Sequence, residues 1–365
     1  MKASTEFAEE QGAPRTAEEW VVVGAGPAGI AAVGKLLDFG TKPDSIMWID
    51  PQFRVGDFGT KWSQVPSNTT VWRFLEFLRS CDSFGIREAI SEFSISSMDP
   101  HDTCILKDVV APLQWITNTL VKSVQTMRSD VTSVRREEDG WLLQTPVRNL
   151  SAKNVVLAIG AEPRQLPYPA PSITLEDAFD VGRLKKTVHR GDVVGVFGSS
   201  HSAILAVRNL LEAGAGRVIN FSRSPLRYAV DYGDWILYDN TGLKGETARW
   251  AERDLPKVPE DRLLRVGADD ATVRRFLPQC AKIVYGVGFE PRSLRVDGAD
   301  LTKYDQTSGV IAPGLFGCGI AFPERVVDRA GNIELNVGVL KFAKYLDRVV
   351  PIWVDGVDTN RRRLD

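Results

Sequence analysis

The chain has 365 residues, of which 43% are hydrophobic and 25% charged, and its formal net charge is −2. This length predicts about two domains, and the composition excludes a collagen-like, coiled-coil or wholly disordered chain. The balanced charge gives no reason to expect nucleic acid or an anionic membrane as a partner. Four cysteines and three histidines are scattered without the spacing of a zinc site or a neighbouring dithiol, so we expect no metal site.

The N-terminal segment and the hydropathy of the chain bear on where the protein is located in the cell. Residues 1–18 are acidic and polar, which predicts a flexible arm and not the apolar core of a signal peptide. No apolar run is long enough to predict a membrane-spanning helix. Scattered cysteines are typical of a reducing compartment. The sequence therefore predicts a soluble, cytoplasmic protein, and it leaves open whether the chain forms a homo-oligomer.

The first predicted unit consists of a strand, a glycine turn, a helix and a second strand. Residues 20–23 form an apolar run, and Gly24 to Gly29 follow with the spacing Gly-x-Gly-x-x-Gly before an amphipathic segment. A second apolar run at residues 45–49 ends in Asp50, which can accept hydrogen bonds from an adenosine ribose. This βαβ pattern predicts a parallel sheet.

The glycines of this turn have separate functions in a dinucleotide site. Gly24 permits the tight turn, Gly26 lets a pyrophosphate approach the backbone, and Gly29 lets the helix pack closely on the strand. Pro27 and Ala28 open the helix whose N-terminus would face the phosphates. A glycine-rich turn in another α/β fold is the alternative interpretation.

The same pattern returns at residues 192–221, where a predicted strand leads into a turn and a helix that contain Gly198, Ser199, Ser200 and Ser202. Serine still allows close approach and adds hydroxyl donors for phosphate oxygens. Arg223 follows the second strand of this unit, where the first unit has an acid, and a cation there suits the 2′-phosphate of NADPH. A solvated surface charge is the alternative for Arg223. The difference between the two units predicts two different dinucleotides on one chain.

Further segments complete the predicted organisation. Residues 153–159 and 281–285 predict strands, and a proline-rich stretch near 161–175 predicts a linker between domains. Residues 231–275, which carry many charges, predict an irregular and partly helical insertion.

These motifs, in this order, resemble the flavoproteins with two dinucleotide-binding domains, the superfamily of glutathione and thioredoxin reductases. Within it, the chain is similar to the flavin-containing monooxygenases and the N-hydroxylating monooxygenases. Asp50 and the segment from Gly56 to Trp62, which includes Gly59, resemble the family's acid and the glycine–tryptophan segment after it. Gly160 follows the strand that leaves the FAD domain, and Gly317 and Gly319 match the end of the last FAD strand.

The resemblance extends from about residue 19 to 350 and implies an α/β fold with two Rossmann-like domains, like that of glutathione reductase. The FAD domain would comprise residues 19–165 and 283–350, with an NADPH domain at 166–282 inserted in it and a C-terminal tail at 351–365. Three features depart from the family. The histidine and aromatic that the monooxygenases carry just before the second nucleotide turn are not recognisable around residues 185–197. Ile320 stands where the family has an aspartate after the final glycine, and the cysteine pair of the disulfide-reductase branch is missing.

The resemblance implies an FAD-dependent oxidoreductase that takes hydride from NADPH. The most concrete expectation is a monooxygenase that forms a flavin C4a-(hydro)peroxide with O2 and attacks a small nitrogen or sulfur nucleophile or a ketone. Two alternatives stay open: an NADPH-dependent flavin or electron-transfer reductase without a dithiol, and a non-catalytic nucleotide-binding redox sensor.

Asn68 is the candidate catalytic residue. By likeness to segments of flavin-containing monooxygenases, its amide would hydrogen-bond the flavin or its peroxide. The alternative is that Asn68 caps the helix predicted to follow it.

Overall fold

The computed structural model describes residues 17–361, which fold as alternating short strands and helices. The strands are β1 Glu18–Val23, β2 Ile46–Ile49, β3 Pro66–Thr70, β4 Thr103–Ile105, β5 Gln125–Met127, β6 Ser133–Glu137, β7 Gly140–Gln144, β8 Leu150–Leu157, β9 Ala161–Pro163, β10 Ser172–Ile173, β11 Val193–Phe197, β12 Arg217–Ser222, β13 Val230–Asp231, β14 Ile236–Leu237, β15 Leu263–Gly267, β16 Lys282–Tyr285, β17 Phe289–Pro291, β18 Arg295–Asp297, β19 Val310–Ala312, β20 Leu315–Gly317, β21 Glu324–Val327 and β22 Ile333–Asn336. The helices are α1 Pro27–Asp38, α2 Gly56–Thr60, α3 Val71–Leu78, α4 Lys107–Ser123, α5 Leu175–Ala178, α6 Val181–Thr187, α7 His201–Ala213, α8 Gly245–Arg253, α9 Asp270–Phe276 and α10 Val339–Arg361.

The first sheet carries the first glycine turn. Strands β5, β2, β1, β8 and β20 run parallel in that spatial order, and the antiparallel β6 and β7 extend the sheet beside the first half of β8. Both faces of β1 are buried: Trp20 and Val22 pack under α1, α3, α4 and α10, whereas Val21 and Val23 pack against a core that includes Trp141. An apolar run such as residues 20–23 suits a central parallel strand, which is covered on both faces.

The second sheet carries the second glycine turn. Its strands lie in the order β10, β16, β11, β12, β15, and each neighbouring pair is parallel. One face packs against α7 and the other against α9. The predicted α/β fold with two Rossmann-like units is confirmed.

The chain crosses between the two sheets twice, and the crossings pair with each other. β9 on the way out and β17 on the way back form an antiparallel ribbon in which Ala161 is opposite Pro291 and Pro163 is opposite Phe289. The ribbon fixes where the two domains join.

Three expected boundaries differ from the structure. β16 belongs to the second sheet, so the chain returns to the first domain after Tyr285 and not at residue 283. The 231–275 segment is not wholly an insertion, because β15 pairs along the edge of the second sheet and α9 packs beneath it. α10 continues through Pro351 to Arg361, so residues 351–361 belong to a helix. The predicted arm lies outside the described residues except for its last two positions, and Glu18 is already in β1.

Between residues 17 and 361, no helix combines the length and apolarity that crossing a bilayer requires.

Candidate functional site

The glycines of the first turn divide into packing glycines and an open one. A Cβ on Gly24 would lie 2.4 Å from the Ala158 carbonyl oxygen, and a Cβ on Gly29 would lie 1.9 Å from the Gly24 carbonyl oxygen. Gly24 also has a φ of +104°, a conformation that favours glycine. A Cβ on Gly26 would meet nothing within 4 Å. The backbone at Gly26 therefore borders open space into which a ligand can come close.

The N-terminus of α1 faces the same space. Gly26 is the N-cap residue and brings no side-chain cap, and the first turn contains no acidic residue. The first N–H groups of a helix have no acceptor within the helix, and the helix dipole adds positive potential there. This end of α1 thus offers N–H donors to an anion, and the residues present fit the pyrophosphate of a dinucleotide.

Asp50 is already engaged with the backbone of the turn. The carboxylate is 8% exposed. Its Oδ2 accepts from Ala25 N at 2.8 Å, and its Oδ1 accepts from Phe53 N at 2.6 Å and Gln52 N at 2.8 Å. Phe53 and Val55 have φ angles of 54° and 60°, so Asp50 holds a strained turn in place. Sequence reasoning predicted a ribose contact as the main function of this carboxylate. In the structure its main function is to hold the turn, and a ribose contact would come in addition.

α2 closes one side of the first turn. A Cβ on Gly56 would lie 3.0 Å from Gly26 Cα, and a Cβ on Gly59 would lie 2.3 Å from the Arg54 carbonyl oxygen. Gly59 therefore serves close packing inside this segment. Trp62 reaches the second domain, where its ring lies 5.9 Å from that of Phe179. The structure thus puts Trp62 at the contact between the domains.

The last strand of the first sheet returns to the same turn. Gly319 has a φ of +82°, and a Cβ there would lie 2.6 Å from Ala28 Cβ. Gly317 packs against the Phe322 ring, and a Cβ on Gly317 would lie 2.5 Å from Phe322 Cγ. Gly160 has a φ of +74°, and its carbonyl accepts from Arg292 N at 3.2 Å. At this edge of the first sheet the structure brings together Gly24, Gly26, Ala28, Gly29, Asp50 and Gly319.

Asn68 lies in β3 with its side chain exposed. Thr69 Oγ1 donates to Asn68 Oδ1 at 3.3 Å. The residue that caps α3 is Thr70, so the alternative in which Asn68 caps this helix is wrong. The strand β3 extends the chain two residues beyond Asn68, so Asn68 precedes the N-cap position of α3.

The second turn repeats the packing of the first. Gly198 has a φ of +119°, and a Cβ there would lie 2.2 Å from the Gly286 carbonyl oxygen. Ser200 is the N-cap residue of α7, and its hydroxyl makes no capping bond. Ser202 is half-buried in the first turn of α7. The uncapped helix and the hydroxyls again suit an anion.

A cavity of about 460 Å³ opens beside this turn. Gly198, Ser199, Ser200 and Arg223 all line it, so the structure brings four of the predicted NADPH residues to one place. Arg164, from the crossing segment, lines the cavity as well. Sequence reasoning missed Arg164, whose signal was a cation within the proline-rich stretch predicted as the linker between domains.

Both turns are held by an equivalent side chain, a feature that sequence reasoning also missed. Trp48 Nε1 donates to the Gly24 carbonyl at 2.9 Å, and Asn220 Nδ2 donates to the Gly198 carbonyl at 2.8 Å. Trp48 is paired with Val22, which lies two residues before Gly24. Asn220 is paired with Val196, which lies two residues before Gly198. The two domains thus use the same position for the same hydrogen bond.

The four cysteines are all free and buried. Burial raises the pKa of the Cys81 and Cys318 thiols to about 12 and of the Cys104 and Cys280 thiols to about 11. Since the thiolate is the reactive form, these groups are inert near neutral pH. Within the described part of the chain, no group of three His, Cys, Asp or Glu side chains could hold a metal ion.

Comparisons with known proteins agree with this geometry. A family model described as pyridine nucleotide-disulphide oxidoreductase matches residues 18–204. The monooxygenase AgnR1 of Paecilomyces divaricatus is 35% identical over 385 residues, which cover 92% of this chain and 97% of that protein.

Solved structures share the fold. The flavin-containing monooxygenase of Stenotrophomonas maltophilia matches with a TM-score of 0.63 at 15% identity, over 93% of this chain and 98% of that one. The ornithine N-hydroxylase of Kutzneria sp. 744 matches with a TM-score of 0.62 at 16% identity, over 95% of this chain and 100% of that one. A thioredoxin reductase of T. acidophilum matches with a TM-score of 0.54 at 13% identity, over 93% and 98% of the two chains.

The family model covers half of the chain, and the monooxygenase relative matches nearly all of it. The chain is therefore a flavoprotein oxidoreductase with FAD and NADPH as its cofactors, and it belongs to the pyridine nucleotide-disulphide oxidoreductase family.

Proposed function

We propose that the protein is a single-component flavin monooxygenase that uses NADPH and O2 to oxygenate a small nitrogen or sulfur nucleophile or a ketone. The observation that carries the proposal is the pairing of two nucleotide cradles with four buried, unpaired cysteines. A disulfide reductase needs a reactive dithiol, and thiols held at a pKa of about 11 to 12 do not supply one. The relative that is a monooxygenase supports the same conclusion.

In this proposal the first turn holds FAD. Gly26 and the N–H groups at the start of α1 receive its pyrophosphate, while Gly24 and Gly29 keep strand and helix close enough to form the cradle. Asp50 holds the turn through Ala25 N and accepts the ribose hydroxyls of FAD with its remaining lone pairs. Gly319 closes the cradle against Ala28.

The second turn holds NADPH. The hydroxyls of Ser199 and Ser200 and the N-terminus of α7 receive the pyrophosphate. Arg223 and Arg164, which line the same cavity, bind the 2′-phosphate that distinguishes NADPH from NADH. Two guanidinium groups in one cavity make the preference stronger than Arg223 alone would.

Bound FAD supplies hydride acceptance from NADPH and the reductive activation of O2. The residues of the chain orient the two cofactors and exclude water, and Asn68 offers an exposed amide as hydrogen-bond donor to the reacting group. The chemistry asks for few titratable side chains, which agrees with the small number of histidines.

Rapid mixing tests the proposal directly. The holoenzyme is reduced with NADPH without oxygen and then mixed with O2, and the absorbance of oxidised flavin and the release of H2O2 are followed. A monooxygenase should regain the oxidised spectrum in two phases and release H2O2 in the second, because NADP⁺ and the closed site retain the activated oxygen. Asn68→Ala should shorten the lag between the phases.

The alternatives predict different outcomes in the same experiment. A plain NADPH-dependent reductase should reoxidise in one phase, with H2O2 formed at the same rate. A nucleotide-binding redox sensor should not lose its flavin colour with NADPH at all. Either result would overturn the monooxygenase proposal.

A further inference from the structure

Three consecutive residues in the segment that connects β12 to β15 contact the first domain. Asp239, Asn240 and Thr241 follow β14, and Tyr238 immediately before them has a φ of +54°. A non-glycine residue in this conformation is strained and persists where its surroundings hold it in place. Here the contacts of residues 239–241 provide that support.

Asp239 is the anion at the centre of a group of cations. Lys341 Nζ of α10 lies 2.6 Å from its Oδ2, and Arg73 Nη1 of α3 lies 3.7 Å from the same oxygen. Lys244, at the start of α8, pairs with Oδ1. The Asp239 and Lys341 side chains are each 18% exposed. Burial alone would raise the pKa of Asp239, but Lys244 and Lys341 lower it to about 2, so the carboxylate stays charged.

Asn240 and Thr241 bind a buried glutamate of the first domain. Glu334 in β22 is 5% exposed. It accepts from Thr241 Oγ1 at 2.7 Å, from Asn240 N at 3.1 Å and from Asn240 Nδ2 at 3.2 Å. Asn240 Oδ1 in turn accepts from Lys341 Nζ at 2.6 Å. These bonds run from residues 239–241 to residues 334–341 and give the buried Glu334 carboxylate its hydrogen-bond donors.

This junction connects chain segments that follow the two nucleotide turns. β22 and α10 follow Gly319 in the chain, and Gly319 closes the first cradle. On the other side, Lys244 is close enough to His201, the first residue of α7, to lower its pKa. α8 also packs near β4: a Cβ on Gly245 would lie 3.0 Å from Thr103 Cγ2.

We propose that residues 239–241 form an interdomain clamp that positions the NADPH domain for hydride transfer. Asp239 and Asn240 are positioning residues, and they take no part in the chemistry. The reaction they serve moves one hydride, with two electrons, from NADPH to FAD and leaves NADP⁺. The clamp depends on the proposed function only in that both cofactors bind, and it applies equally to a monooxygenase and to a reductase.

Asp239→Asn is the test, because it removes the charge and leaves three cations without their shared anion. In the holoenzyme the rate of flavin reduction at saturating NADPH should fall about tenfold or more, since misplaced reactants lose rate steeply. The Kd of NADP⁺ should change less than threefold, the FAD content should stay equal, and reduction by dithionite should be unaffected. Asp239→Glu should restore part of the rate.

Asp192→Asn is the matched control. Asp192 is 19% exposed and pairs with Lys282 at 2.8 Å, so it resembles the clamp pair, but both partners lie in the second domain. This variant should reduce its flavin within about twofold of the wild-type rate. If Asp239→Asn is reduced as fast as the wild type, or if the control slows equally, the clamp is disproved.

A second variant and a second measurement test the clamp in case Asp239→Asn does not fold. Asn240→Ala combined with Thr241→Val removes five side-chain hydrogen bonds, two of them to Glu334, while Lys341 keeps its ion pair with Asp239. Amide hydrogen exchange should then rise together at residues 238–244 and at residues 333–341 while β11 and β1 stay protected. This readout requires no turnover, so it fails separately from the proposed function. A rise confined to one of the two segments would contradict a clamp between them.

Discussion

Gly26 and Gly29 stand three positions apart in one turn, but they meet different surroundings. Gly29 is required by the protein, because a Cβ there would lie 1.9 Å from the Gly24 carbonyl oxygen. Gly26 meets nothing within 4 Å and has an extended backbone, with φ −75° and ψ 177°, which any residue adopts. The fold therefore does not require glycine at this position, and in our proposal the requirement comes from the pyrophosphate of FAD.

Gly26→Ala should separate FAD binding from stability. The new methyl group would occupy the space that the pyrophosphate needs, so we expect FAD affinity to fall about tenfold or more. The free energy of unfolding of the apoprotein should change by about 1 kcal/mol or less. Flavin absorbance per protein and urea unfolding measure the two quantities. Gly191→Ala, which also meets nothing within 4 Å, is the control and should keep its FAD. A Gly26→Ala protein that stays fully yellow would refute the assignment of this cradle.

Arg223→Ala should reduce the preference for NADPH over NADH. A charge-assisted bond to the 2′-phosphate contributes about 1.5–3 kcal/mol, so KM for NADPH should rise about tenfold or more while KM for NADH stays within about twofold. Arg164→Ala should have the same direction and a smaller effect, because Glu290 lies 3.8 Å from its guanidinium. Arg183→Ala, an exposed arginine of the same domain paired with Glu176, is the control. Equal losses with both coenzymes would contradict the assignment.

Some individual residues could not be predicted from the sequence because their role depends on the partner strand. Trp48 and Asn220 both lie in apolar runs, but they differ in residue type, and the sequence around them shows no shared pattern. The strand register places each beside a glycine carbonyl that needs a donor. Asp50 was predicted as a ribose ligand. Its carboxylate also binds Ala25 N of the glycine turn and Phe53 N of the strained turn that follows β2, and no pattern in the sequence indicates these bonds.

Among the secondary-structure elements, those defined by local patterns could be predicted from the sequence, whereas those that depend on pairing with a distant strand could not. The two glycine turns were predictable, because each has a buried strand before it and an amphipathic helix after it. β15 was missed: it is an edge strand with Arg265 inside it, and its alternating exposure follows from pairing with β12. The alternative interpretation put Asn68 at the start of a helix, but pairing of Pro66 with Ile105 and of Thr70 with Thr103 draws this segment into a strand.

The start of α7 should make the protein sensitive to acid. His201 Nδ1 is buried without a partner among the described residues, and burial, followed by the charge of Lys244, lowers the pKa of His201 from 6.5 to about 4. The unfolded chain then binds the proton first, so the free energy of unfolding falls as the pH drops from 6.5 towards 4 and is constant above 6.5. The loss at pH 5 should be about 2 kcal/mol.

Urea unfolding of the wild type and of His201→Gln at pH 7 and pH 5 measures this loss. The variant should lose about 2 kcal/mol less than the wild type between the two pH values. His189→Gln, at an exposed position of the same domain, should leave the wild-type difference unchanged. Equal acid sensitivity in His201→Gln and the wild type would place the responsible group elsewhere.

For the whole molecule, several contacts join the two domains. They include the β9–β17 ribbon, the packing of Trp62 against Phe179, the contacts of α8 with β3 and β4, the Arg329–Asp234 ion pair, and the bonds of residues 239–241 to Glu334 and Lys341. The order of the motifs along the sequence predicted that an NADPH domain interrupts the FAD domain. It could not predict the last contact, because its members come from segments nearly a hundred positions apart and have no shared pattern.

These contacts should make the two domains unfold together. Scanning calorimetry of the wild type should give one transition, and added FAD should move that transition as a whole, because a ligand bound to the folded state at about 100 times its Kd stabilises it by about 2.7 kcal/mol. In Asp239→Asn the transition should split into one that FAD shifts and one that NADP⁺ shifts, whereas Asp192→Asn should keep a single transition. A wild-type protein that already shows two transitions with separate ligand responses would mean that the ribbon and the 239–241 contacts do not couple the domains.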